Sequence, residues 1–216
     1  MKRCDPEQQR HEMVKRQLAS RDITDSRVLQ AMRTVPRHHF VPPESLNAAY
    51  NDGPLPIGYG QTISQPYVVA LMTQHARPQP DSIALDVGTG SGYQAALLAE
   101  LCQTVYSIEI VESLAEDSRQ RLSELGCENV HIRCADGYEG WQQHAPFDLI
   151  IVAAAPNHVP QPLVDQLAVG GRLIIPVGNS HQKLLVIEQQ ADGHVRQWTL
   201  APVAFVPMTG HAQLRK

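Results

Sequence analysis

The spacing of apolar residues changes character near residue 82. Before it, Met13, Val14 and Leu18 recur at helical intervals between Pro6 and about Ala19, and Val28, Leu29 and Met32 do so between Asp25 and Thr34, which predicts two amphipathic helices. Pro36 and Pro42-Pro43 then break the chain, the stretch from Asn51 to Pro66 reads as a glycine- and proline-punctuated loop, and a helix over 66–77 is stopped by Pro78. From Ser82 onward short apolar runs alternate with helical ones. Strands are predicted at 82–85, 104–109, 130–134, 147–153 and 171–177, with helices over 94–101 and 162–167. Residues 184–189 and 195–206 predict a closing antiparallel pair.

Such alternation predicts an α/β fold, a Rossmann-like sandwich in which a seven-stranded, mostly parallel sheet carries helices on both faces. An N-terminal helical region with its loop, residues 1–80, precedes the core at 81–216, the two forming one compact domain.

At the first strand of the core the chain reads Leu85-Asp86-Val87-Gly88-Thr89-Gly90-Ser91-Gly92, with a helical pattern directly behind. Glycine suits that turn because a side chain would hold a ligand away from the backbone and because tight strand-to-helix turns need positive φ. The dinucleotide fingerprint spaces its glycines as Gly-x-Gly-x-x-Gly, whereas here they alternate, two residues after an acid. A pyrophosphate at a helix N-terminus disfavours a neighbouring carboxylate, while the ammonium and sulfonium of S-adenosyl-L-methionine (AdoMet) tolerate one. Glu109 ends the next strand about 20 residues beyond the turn, where a carboxylate can accept from both ribose hydroxyls. Asp136-Gly137 ends the third, although Asp136 also reads as a helix N-cap.

At 216 residues and 43% hydrophobic, the chain can bury one substantial core. A net charge of −4 with no dense Lys/Arg run argues against nucleic acid. Cys4, Cys102, Cys127 and Cys134 form no Cys-x-x-Cys pair, so reduced thiols and no metal are expected. No leader-like or membrane-spanning apolar stretch stands out, and a cytoplasmic monomer is expected.

Several further segments complete the picture. Leu55-Pro56-Ile57-Gly58, Gly60-Gln61-Thr62-Ile63-Ser64-Gln65-Pro66-Tyr67, the stretch Asp86 to Gln94 and Gly170-Gly171-Arg172-Leu173 together resemble the protein-L-isoaspartate O-methyltransferase family. Val35-Pro36-Arg37, Phe40-Val41-Pro42 and Phe205-Val206-Pro207-Met208 extend the resemblance from about residue 13 to 209. It implies methyl transfer from AdoMet to the free α-carboxylate of L-isoaspartyl residues in damaged peptides and proteins, the ester then closing to a succinimide that begins repair. By that resemblance Ser64 is the active-site serine and Thr62 and Ile63 flank the cofactor. Asp86, Gly88, Thr89, Gly90, Gly92, Glu109, Asp136 and Gly137 hold it, with Thr209 nearby. Ala153, where threonine is common in the family, and Val69, where some members carry histidine, depart from the pattern.

The chemistry agrees with the residues. A carboxylate acceptor, which ordinarily titrates near pH 4, is already ionised at neutral pH and needs no base, so Ser64 is expected to orient it by a hydrogen bond. Ser64, just ahead of a proline-started helix, also suits an N-cap, and the two roles are compatible. The alternatives are another AdoMet-dependent O-methyltransferase acting on a small carboxylate, and an AdoMet-binding module without turnover. Base amino methylation lacks its Asn/Asp-Pro-Pro-aromatic segment, since Ala153-Ala154-Ala155-Pro156-Asn157 stands there. His38-His39 reads as solvent-facing, Tyr138 and Trp141 as packing rather than adenine cover, and Arg172 as a turn residue leading into the fifth strand.

Overall fold

The computed structural model describes residues 5–214; Cys4 and the end of the tail at 215–216 lie outside them. Helix α1, Pro6–Met13, starts with proline at its first position and is capped by Asp5, whose carboxylate accepts from the Glu7 N–H at 3.1 Å. It continues as a π-helical segment, Val14–Ala19, which buries Val14 and Leu18. Helix α2, Ser26–Thr34, is capped by Asp25 and ends where Val35 becomes extended ahead of Pro36.

Residues 51–66 are more ordered than their composition predicts. Strands β1, Leu55–Gly58, and β2, Gln61–Ile63, form an antiparallel hairpin pairing Leu55 with Ile63. Strands this short, containing proline and glycine, carry no alternation that a sequence reading can detect. Tyr59 and Gly60 close the hairpin with φ of 52° and 70°, the doubly positive pattern of a tight hairpin turn. Helix α3, Pro66–Ala76, ends at Arg77, which turns left-handed just before Pro78.

The sheet follows in the expected places: β3 Ile83–Val87, β4 Thr104–Glu109, β5 Val130–Cys134, β6 Phe147–Val152, β7 Leu167–Val177, β8 Gln182–Gln189 and β9 Val195–Val203. Helices α4, Tyr93–Ala99, α5, Glu112–Glu124, and α6, Gln161–Val164, connect them. The strand order is β5-β4-β3-β6-β7-β8-β9, parallel through β7 and antiparallel across the last two pairs. Helix α5 was not legible in the sequence because its buried face is only Leu114, Ala115, Ser118 and Leu122. Strand β7 begins before Gly170-Gly171 rather than after it, so Arg172 is not a turn residue. It is buried within the strand, its guanidinium paired with Glu188 on β8 and donating to the His75 carbonyl at 3.0 Å. Register across strands, not local sequence, creates that partner.

The sheet divides the interior in two. Ala84, Leu149 and Ile151 face a core shared with Leu18, Val28 and Met32 of the N-terminal helices, while Leu85, Val87 and Ile150 face the other side with Leu163 and Phe147. Alternate residues of each strand serve opposite cores, which is why the strands read as unbroken apolar runs.

Candidate active site

The strand order reverses at β3, which pairs with β4 on one side and β6 on the other. Loops leaving their carboxyl ends therefore diverge, and a crevice opens between them. Its empty volume is about 940 Å³ including the open mouth.

One wall is the glycine turn. The Gly88 and Thr89 N–H groups both donate to the Ile108 carbonyl, at 2.8 and 3.2 Å, which ties the turn to the end of β4. Gly88, Gly90 and Gly92 all adopt positive φ, at 90°, 52° and 90°. A Cβ on Gly90 would come within 3.3 Å of Ile57 Cδ1, so the hairpin lies directly against the turn. Glu109 locks the same wall, one carboxylate oxygen accepting from the Gly90 N–H at 2.8 Å and the other from the Val111 N–H at 3.0 Å. Each oxygen keeps lone-pair capacity for a ligand.

Beneath the turn Asp86 is fully buried and does not line the crevice. Its Oδ2 accepts from the Ser107 hydroxyl at 2.7 Å, and that hydroxyl oxygen lies 2.6 Å from the hydroxyl of Thr89, which does line it. Oδ1 has no partner among the described residues. Burial first, and the nearby Glu109 charge second, push the Asp86 carboxyl up to about 7, against the opposing pull of the Ser107 hydrogen bond. Ser107 is a link the sequence reading missed; its signal is a polar residue inside an otherwise apolar strand.

The opposite wall comes from three separate segments. Thr62, Ile63 and Ser64 end the hairpin; Ala153 and Ala154 follow β6; and residues 206–209 return from β9. The return is fixed by backbone pairing, Ala155 N–H to the Val206 carbonyl and Met208 N–H to the Ala155 carbonyl, both at 2.8 Å. Ser64 does not cap α3: Gln65 occupies the cap position and no side chain bonds there. Ser64 borders the crevice, and its hydroxyl has no hydrogen-bond partner among the described residues. A neighbouring groove formed by Pro54, Gln65, Val68, Pro202, Val203 and Phe205 shares Thr62, Ser64, Ala153 and Val206 with it.

At the far end Asp136 performs the capping role anticipated for it, accepting from the Tyr138 N–H at 2.9 Å, and also accepts from the His211 N–H at 2.7 Å. Gly137 is required by packing, since a Cβ there would lie 2.4 Å from Val87 Cγ1. Thr62, Ile63, Ser64, Gly88, Thr89, Gly90, Glu109, Asp136, Gly137 and Thr209 thus converge on one space. Gly92 does not; a Cβ there would come within 3.3 Å of Leu122 of α5. Val69 and Ala153 both line the crevice, as does Tyr93, which the sequence reading did not single out. Tyr138 is buried with its hydroxyl 2.8 Å from His158 Nε2, and Trp141 stacks among Tyr106, His144 and Arg133, so both pack rather than line the crevice. His39 is exposed, as expected of the pair, whereas His38 is half-buried, its Nδ1 2.6 Å from the Tyr50 hydroxyl and its ring against that of Tyr50.

The donor set fits AdoMet. Two carboxylates line the space, a third lies beneath it, and the remaining polar groups are hydroxyls, amides and backbone groups, a lining suited to a ligand bearing positive charge and a ribose diol and ill suited to a pyrophosphate.

A family model described as protein-L-isoaspartate(D-aspartate) O-methyltransferase matches residues 8–213. A protein-L-isoaspartate O-methyltransferase from Opitutus terrae is 57% identical over 202 residues, spanning 93% of this chain and 87% of its own length. One from a Synechococcus strain is 55% identical, spanning 93% and 85%. Among solved structures, a protein-L-isoaspartate O-methyltransferase superposes with a TM-score of 0.84 at 25% identity, covering 95% of this chain and 67% of that one. A Plasmodium falciparum protein solved in complex with S-adenosyl-L-homocysteine superposes with a TM-score of 0.81 at 28% identity, covering 93% and 98%.

Proposed function

The chain belongs to the protein-L-isoaspartate(D-aspartate) O-methyltransferase family, enzymes that methylate isoaspartyl residues with AdoMet, and on that premise we propose which residues carry out the transfer. The glycine turn, Thr89, Glu109 and Asp136-Gly137 hold the cofactor, with Thr62 and Ile63 against its reactive end, and Asp86 acts on it through Ser107 and Thr89. Bound there, AdoMet supplies an electrophilic methyl whose sulfur takes back the bonding pair as the acceptor oxygen gains the carbon.

Ser64 orients the acceptor. Its unpartnered hydroxyl, bordering the space that the glycine turn also borders, is the observation that carries this reading. Donating to one carboxylate oxygen fixes the direction of the other, and holding two reactants at near-attack geometry is worth roughly 7 to 11 kcal/mol in well-oriented intramolecular reactions. The largely apolar walls serve the same step, because a carboxylate freed of water is more nucleophilic and its charge disperses on the way to a neutral ester. No general base is needed, because the acceptor carboxylate is already ionised at neutral pH.

The groove beside Ser64 favours a peptide over a small free carboxylate. It continues from the crevice along 202–206, past the end of β9, and gives room to residues flanking the modified one. The free thiols of Cys102, Cys127 and Cys134 accord with a reducing, cytoplasmic setting. No helix among the described residues is long and apolar enough to cross a membrane.

The test is transfer of labelled methyl from AdoMet to a synthetic isoaspartyl peptide, with its aspartyl isomer as control. Selective labelling of the isoaspartyl form is expected, and equal labelling of both would overturn the acceptor assignment. Ser64→Ala should lower kcat about 100-fold, the usual cost of one aligned donor at a reacting oxygen, with AdoMet affinity unchanged within about twofold. Near wild-type turnover would remove Ser64 from the mechanism.

A further inference from the structure

The crevice and its adjoining groove contain no Lys, Arg or His among the described residues. The charges they do hold are negative, Glu109 and Asp136 in the lining. The nearby cations border neither space. Arg37 is fully buried, donates to the Ala49 carbonyl at 2.8 Å and lies over the Tyr93 ring at 4.9 Å without bordering the crevice. Arg121 donates to the Ser91 carbonyl at 2.8 Å, and His211 lies between Glu139 at 3.1 Å and the outer side of Asp136 at 3.7 Å.

An acceptor carboxylate entering this space by itself would leave water for hydroxyl donors and like charges, an unfavourable exchange for an ion without a counter-charge. Resting on the function proposed above, we propose that this chain binds its acceptor only when the crevice is loaded, the missing cation being the cofactor's own sulfonium. The lining thereby enforces an order of binding without any moving part. It also sets the order of release. A fixed arginine would hold the acceptor before the reaction more firmly than at the transition state, where its charge is falling, and would slow the step. With no such residue, both counter-charges disappear together on transfer, and the neutral ester loses its hold.

The test is equilibrium binding of a fluorescent isoaspartyl peptide to the full chain in three states: alone, saturated with S-adenosylhomocysteine, and saturated with sinefungin, which carries a protonated amine where AdoMet carries its methylsulfonium. The peptide should bind the sinefungin complex at least about fivefold more tightly than either other state, and amidating its isoaspartyl carboxylate should erase the preference. A smaller ratio, or a preference that survives amidation, would overturn the proposal. Methyl transfer to the same peptide is measured alongside. Transfer without the affinity ratio refutes the binding order alone, whereas no transfer refutes the function on which it rests.

Discussion

A methyl group added at Gly137 would meet Val87 at 2.4 Å, and one at Gly90 or Gly92 would meet a neighbour at 3.3 Å, whereas at Gly58 or Gly60 in the hairpin turn it would meet nothing within 4 Å. The wall proposed to hold the cofactor is over-determined: its backbone is tied to β4, its glycines are hemmed in, and its acids are hydrogen-bonded within the protein. The acceptor wall is held at its base by Leu55, Ile57 and Ile63, while Tyr59 at its tip is 61% exposed. A small cofactor of fixed shape rewards a preformed site, and an acceptor that varies from one damaged protein to the next rewards a wall that can yield.

Substitutions can break or sharpen that contrast. Gly137→Val should act most strongly, because the stiff Val87 side chain cannot yield to a Cβ at 2.4 Å. Overpacking of about 1–3 kcal/mol, with Tm falling roughly 2–4 °C per kcal/mol in a chain of this size, is expected in thermal melts. AdoMet affinity should fall at least about tenfold by calorimetry, the equivalent of roughly 1.4 kcal/mol.

Asp86→Asn should come next, and its effect should depend on pH. The folded protein holds the Asp86 proton up to about pH 7, whereas the unfolded chain releases it near the ordinary value of 3.8. Between those values the folded state binds the extra proton, so wild-type stability falls as pH rises and the loss is complete above about 7. The Asn variant lacks this loss. Its Tm relative to wild type should therefore climb between about pH 4 and 7, by a few kcal/mol in equivalent stability at most, and a flat difference would show that Asp86 stays ionised throughout.

Glu109→Gln keeps one acceptor oxygen for two backbone N–H groups, so Tm should fall by several degrees, the roughly 1–3 kcal/mol cost of an unsatisfied buried donor, and AdoMet affinity should weaken about tenfold as the charged acceptor for the ribose hydroxyls is lost. Gly60→Ala should do least. At φ 70° it strains the turn by about 1–2 kcal/mol but touches nothing, so the peptide KM should rise severalfold while AdoMet affinity stays within about twofold. A loss of AdoMet binding there would erase the distinction between the two walls.

The fold was largely legible in the chain. The strand read at 147–153 stands at Phe147–Val152, because a buried parallel strand must be apolar on both faces and announces itself as a nearly unbroken run, while the edge strand at 130–134 shows itself by alternating Val130 and Ile132 with polar residues. The hairpin at 55–63 and helix α5 escaped, one for lack of length and the other for lack of an apolar stripe. At the site, alternating glycines behind an acid and a second acid at the end of the next strand pointed to what is one wall of the crevice, where positive φ favours glycine.

The sequence by itself determined the layered sheet, the glycine turn and the residue types available to a positively charged cofactor, because periodicity and steric need act over a few neighbouring residues. Tertiary structure decided the rest through partners far apart in the chain. It set Asp86 behind Ser107 and Thr89 rather than in the crevice, left Ser64 without a cap to make, brought His211 onto Asp136 and buried Arg172 against Glu188. A carboxylate's environment is the sum of what folding places within a few ångströms of it, and no local pattern encodes that sum.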